Sequence, residues 1–205
     1  KSFWLQEIAW RAALQRKRTA FFEVGDMGEH QIGMRFAVRC AVHPHRSRDG
    51  RWPATIRYPV SLKPQREGEE HAAVEHEDRV FDHPLDLATA IKAFKRAVRS
   101  KVKSNESYLG LSVHPAGTLS VPGLKSILDG WALDGWIPDA IIIDYSDLLD
   151  PVNKRLDRRD QINEVWTALR ALSLERHVLI VTATQSDADA YTRRTLDRRN
   201  FSEDK

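Results

Sequence analysis

The chain has one cysteine, Cys40, which excludes an internal disulfide and suits a reducing, cytoplasmic setting. No apolar run approaches the roughly 20 residues needed to cross a bilayer, so no membrane partner is expected. No charged-then-apolar leader with a small-residue cleavage site opens the sequence. Internal repeats and low-complexity tracts are missing too. Aromatic residues make up only 8%, and the basic segments near the end have only Tyr191 close by to stack on a base. Cys40, His43 and His45 are metal-capable and close in sequence, but no second ligand cluster lies at zinc-site spacing. His71, His76 and His83 sit amid Glu69, Glu70, Glu75, Glu77 and Asp78 and read as a solvated acidic face. What is present is a 205-residue chain, 41% hydrophobic, long enough to bury one sizeable core. A net charge of +3 permits a polyanionic partner without demanding one.

The most informative segment is Ala140-Ile141-Ile142-Ile143-Asp144-Tyr145. Four apolar residues between Pro138 and Asp144 read as a strand buried on both faces, the signature of a parallel sheet. A strand ending on a carboxylate puts charge at the sheet's carboxyl edge, where open α/β folds bind ligands. Elsewhere, helical spacing runs from Phe3 to Leu14, and a strand-like run covers Thr19 to Val24. Helical periodicity returns from Gly28 to about Ala41, followed by a turn-rich basic stretch over 43–53. Residues 54–60 and 73–81 alternate as two strands joined by a polar connector. A helix from Leu85 to Val102, a strand over 108–113, and a helix from about Ser120 to Gly135 follow. Ser120 is a plausible cap ahead of Pro122. Asp160 to Glu175 forms an amphipathic helix with Ile162, Val165, Trp166, Leu169 and Leu172 on one face. Residues 178–185 read as another buried strand, ending on Gln185. Trp131 and Trp136 straddle a helix end and are read as covering the sheet. Alternating strands and helices give an α/β doubly wound sheet.

Three segments then combine. Lys1-Ser2 runs straight into a helix, as do the last two positions of a P-loop, G-x-x-x-x-G-K-[ST]. Phe22-Glu23-Val24-Gly25-Asp26-Met27 joins a strand to a turn bearing acids, and Thr184-Gln185 closes the last strand. Together with the Ala140–Leu149 segment, these resemble the RecA-like ATPase core of DnaB-type replicative helicases, most of all its phage and prophage branch. The likeness covers residues 1–40 and 138–187 well and the rest poorly. In that family a Glu precedes the Met; here Asp26 does, one methylene shorter.

The resemblance implies a RecA-like P-loop NTPase fold: a mostly parallel central sheet flanked by helices, with a small β-rich insertion. Core segments 1–42 and 84–205 would flank an insertion at 43–83. It implies ATP and Mg²⁺ as cofactors. Lys1, Ser2 and Asp144 would bind the nucleotide, with Ser2 and Asp144 facing the metal. Asp26 would orient the attacking water, and Gln185 would sense the γ-phosphate. Read without the family, Asp26 is a turn residue in Gly-Asp-Met-Gly and Gln185 a solvent-facing strand-end amide. Lys154, Arg155, Arg158 and Arg159, with Arg193, Arg194, Arg198 and Arg199, fall in loops resembling those that track single-stranded DNA. Interleaved Asp150, Asp157, Asp160, Asp187, Asp189 and Asp197 leave a merely solvated face open. A homo-oligomeric ring is implied, though no residue matches the neighbouring subunit's catalytic finger. Helix formation from residue 3, with no strand before it, leads us to expect further chain at both ends. The function implied is Mg²⁺-dependent ATP hydrolysis coupled to single-stranded DNA. The alternatives are a loader or KaiC-like signalling ATPase, and a nucleotide-binding scaffold that does not hydrolyse.

Overall fold

The structure, a computed structural model, describes residues 2–63, 73–99 and 106–184. Lys1, Gln185 and the arginine pairs at 193–194 and 198–199 lie outside the described residues. The chain divides into two compact units, one of residues 1–32 and 99–205, the other of residues 33–98.

In the first unit, four parallel strands lie in the order β4 (Leu109–Val113), β1 (Thr19–Glu23), β5 (Ala140–Asp144), β6 (Leu179–Thr182). All five residues of β1 and all five of β5 are buried. Side chains alternate across a strand, so each central strand feeds two cores. Phe22, Ile141 and Ile143 pack with Leu124 and Leu128 of α4 (Val121–Leu133) and Val165 and Leu169 of α5 (Arg158–Arg176). Phe21 and Ile142 pack on the opposite face with Leu5 and Ala9 of α1 (Ser2–Leu14). Helices on both faces are what lets the strands be apolar without interruption.

Local signals set the helix ends. Ser120 caps α4, its hydroxyl accepting from the Gly123 N–H at 3.2 Å with proline in the first turn. Asp157 does the same for α5, accepting from the Asp160 N–H at 2.9 Å. Trp131 stacks on Phe22 and meets Trp136 edge-on at 5.1 Å, so both tryptophans cover the sheet as expected. Two expectations need correction. Trp166 is 38% exposed, because four helical steps of about 100° carry it about 40° beyond Ile162, to the rim of the apolar stripe. Leu179 is 62% exposed: β6 pairs only with β5 among the described residues, so its outer flank is uncovered.

The second unit contains an antiparallel pair, β2 (Ala54–Leu62) and β3 (Val74–Phe81), with a register irregularity between Pro59 and Ser61. The helix α3 (Leu87–Arg99) follows it. Arg79 lies over the Tyr58 ring at 5.3 Å, and His43 packs edge-on against Phe81 at 4.7 Å. The boundary between units falls within α2 (Glu29–Ala41).

Candidate functional site

Parallel pairing puts the carboxyl ends of β1 and β5 level. Glu23 is the register partner of Asp144, and each ends its strand on an acid. The sheet continues one residue beyond, where the Val24 N–H donates to the Asp144 carbonyl at 3.1 Å. Next to this edge lies a cleft of about 230 Å³ lined by Ser2, Glu23, Gly25, Asp26, Asp144 and Tyr145. Ser2 is the first residue of α1, so that helix's N-terminal turn faces the cleft, where unpaired N–H groups and the helix dipole favour anions. Three residues singled out in the sequence, Ser2, Asp26 and Asp144, are therefore brought together. Asp26 is exposed on the turn after β1, whereas Asp144 is 2% exposed.

Glu23 is the residue that sequence reasoning missed. Its side chain is 2% exposed. It accepts the backbone N–H groups of Met27 and Gly25, and Oε2 has no hydrogen-bond partner, so Oε1 takes the turn's donors. Gly25 makes room for this: a Cβ there would stand 2.8 Å from Glu23 Oε1. Burial first, then the charge of Asp144, pushes the Glu23 carboxyl up from 4.5 to about 7. A signal for it was present, since Ala20-Phe21-Phe22-Glu23 repeats the apolar-run-then-acid pattern of β5. The Tyr145 phenol is also pushed up, by burial and then by Asp147, Asp144 and Asp26.

The loop after β5 is anchored to the end of β6. Thr182 Oγ1 donates to the Ile143 carbonyl at 2.8 Å and accepts the Ser146 N–H at 2.9 Å. Thr184 Oγ1 donates to Oδ2 of the buried Asp147 at 2.8 Å. Arg158 donates to the Asp147 carbonyl at 2.6 Å. Of the basic residues expected on this loop, Arg158 is thus engaged by the protein and Lys154 pairs with Asp150 at 3.0 Å. Arg155 is exposed on the loop and Arg159 is exposed in α5; contrary to expectation, Arg158 and Arg159 belong to the first turn of that helix, which the Asp157 cap starts directly before them.

The donors facing the cleft are carboxylates and a hydroxyl, hard oxygens that fit Mg²⁺. The orphaned, buried Glu23 Oε2 is an acceptor consistent with a cation there.

No family model matches the chain, and no curated protein matches it. Among solved structures it is similar to the ATPase domain of a phage protein, with TM-score 0.66 and 15% identity over 99% of this chain and 60% of that one. It is also similar to a DnaB-like replicative helicase whose structure describes interactions with primase, with TM-score 0.55 and 14% identity over 91% of this chain and 39% of that one. The fold is the RecA-like ATPase fold of DnaB-type helicases. The chain spans about 60% and 39% of the lengths of these two structures. In the RecA-like fold seen here, the cleft lies at the carboxyl edge of the parallel strands, the general ligand position of open α/β sheets. No helix among the described residues is long and apolar enough to cross a membrane.

Proposed function

We propose that this domain binds ATP with Mg²⁺ in the cleft and hydrolyses it as a DnaB-like helicase ATPase, acting in a homo-oligomeric ring on single-stranded DNA. The observation that carries this reading is the convergence of Ser2, Asp26 and Asp144 on one cleft, beside the first turn of α1. Phosphate oxygens would take the N–H groups of that turn, and Lys1 would neutralise their charge. Ser2 and Asp144 would hold the metal, Asp144 through water. When bound, Mg²⁺ would supply positive charge against that building on the phosphoryl oxygens. Asp26 would orient the attacking water and take its proton. Gln185 follows Thr184 directly and would contact the γ-phosphate. Arg155 and Arg159, with Lys154 and the arginines at 193, 194, 198 and 199, would meet the DNA backbone, with strong salt dependence. Arg158 would act through the loop it anchors. Residues 43–83 would be an insertion between core segments 1–42 and 84–205.

One observation favours a second reading, a subunit that binds nucleotide without turnover. Asp26 is both shorter than glutamate and exposed, so its reach to the water depends on turn movement. Mg²⁺-dependent ATP hydrolysis, with and without single-stranded DNA, decides between them. DNA-stimulated turnover abolished by Asp26→Asn supports the motor. Tight ATP binding with no turnover supports the scaffold.

A further inference from the structure

We propose that Glu23 and Asp144 form a two-carboxylate site that takes a divalent cation, of the Mg²⁺ or Mn²⁺ class, before any nucleotide arrives. This rests on the function above only in taking Asp144 as a metal-facing carboxylate. Pairing register sets the two acids side by side at the ends of adjacent strands, both nearly fully buried. Glu23 divides its two oxygens between different tasks. Oε1 serves the turn, through the N–H groups of Gly25 and Met27, while Oε2 is buried with no hydrogen-bond partner, on a residue that lines the cleft. A partnerless carboxylate oxygen held dry beside a second carboxylate is costly in two ways, through lost hydration and through like-charge repulsion. A hard dication removes both costs at once. Mg²⁺ needs only one or two protein carboxylates and keeps several waters. At about 30 Å³ per water, the cleft of about 230 Å³ has room for them.

The competing account is that Glu23 is only a turn cap. A glutamine would cap equally well, because its amide oxygen can accept the same two N–H groups. Glu23→Gln therefore removes the cation's ligand while sparing the turn. The experiment uses the full chain, nucleotide-free and stripped with EDTA, and follows free Mn²⁺ by electron paramagnetic resonance. The wild type should bind Mn²⁺ with Mg²⁺ competing, and Glu23→Gln and Asp144→Asn should each weaken binding at least about tenfold. Wild-type affinity in Glu23→Gln overturns the proposal, and so does a wild type that binds no Mn²⁺. If Asp144→Asn alone loses Mn²⁺, the proposal fails while the nucleotide reading stands. If both variants lose Mn²⁺ but the wild type never binds ATP, the proposal stands and the nucleotide reading fails. Should Glu23→Gln not fold, Gly25→Ala replaces it. Its methyl would lie 2.8 Å from Glu23 Oε1 and push the carboxylate aside without altering charge. Mn²⁺ affinity that Gly25→Ala leaves intact likewise overturns the proposal.

Discussion

In metal-free buffer, Glu23→Gln should flatten the dependence of folding stability on pH between 4.5 and about 7. The carboxyl titrates near 4.5 when the chain is unfolded and near 7 when it is folded. Between those values the folded state holds a proton that the unfolded state has released, so stability falls as pH rises through the window. This contribution is fully present below 4.5 and fully lost above about 7. At about 1.36 kcal/mol per pH unit, the gap corresponds to a loss of about 3 kcal/mol. The groups facing this carboxyl are Asp144 from β5 and Asp26 from the turn, which both raise it, and the Met27 and Gly25 N–H groups, which lower it. Burial is the largest cause, so Asp144→Asn should shrink the pH dependence without removing it. The assay is urea unfolding followed by tryptophan fluorescence, in EDTA, across this pH range. Relative to wild type, Glu23→Gln should gain about 3 kcal/mol from the acid end to the neutral end. Parallel stability curves for the two proteins would refute the reasoning, because they would mean that Glu23 ionises alike in both states.

Three further outcomes are expected. Thr184→Val removes the donor to buried Asp147 Oδ2 and should cost about 1–3 kcal/mol, read by thermal melting; an unchanged melt would show that the bond contributes nothing. Gly110→Ala puts a Cβ 2.9 Å from Trp136 Cη2 and should cost about 1–3 kcal/mol in urea unfolding. In a double-mutant cycle with Trp136→Leu the two changes should couple, and simple additivity would place the clash elsewhere. Ser120→Ala loses the α4 cap and should cost about 1 kcal/mol in the same assay, with no measurable loss counting against the capping bond.

Much of the core fold was legible because its signals are local. The Ala140–Asp144 run reads as a strand covered on both faces, and α1, α4 and α5 are the helices that cover it. Ser120 ahead of Pro122 marked the start of α4 by the chemistry of an unpaired helix terminus. The misreadings arose where burial depends on a neighbour. Trp166 has the right residue type for the stripe of α5, but its angular position puts it at the rim. Leu179 sits in a run as apolar as β5, and only its place in the strand order exposes it.

The acids of the cleft show the same division between local and non-local information. Asp26 and Glu23 lie three residues apart, and composition alone does not rank them. Resemblance selected Asp26, which reaches the cleft from an exposed turn. Register selects Glu23 for a different task. Because β1 and β5 pair parallel from Thr19 opposite Ala140, their fifth residues must come level, and both fifth residues are acids. A shift of one residue in that pairing would put Asp144 opposite Phe22 and turn every β1 side chain to the other face. The two cores prevent that shift: Phe22 is committed to the α4 and α5 side and Phe21 to the α1 side. The juxtaposition of two buried carboxylates is therefore imposed by hydrophobic packing along the strands behind them. A proton at Glu23 or a cation between the two acids would each offset this arrangement, and the Mn²⁺ titration and the pH series read those two cases separately.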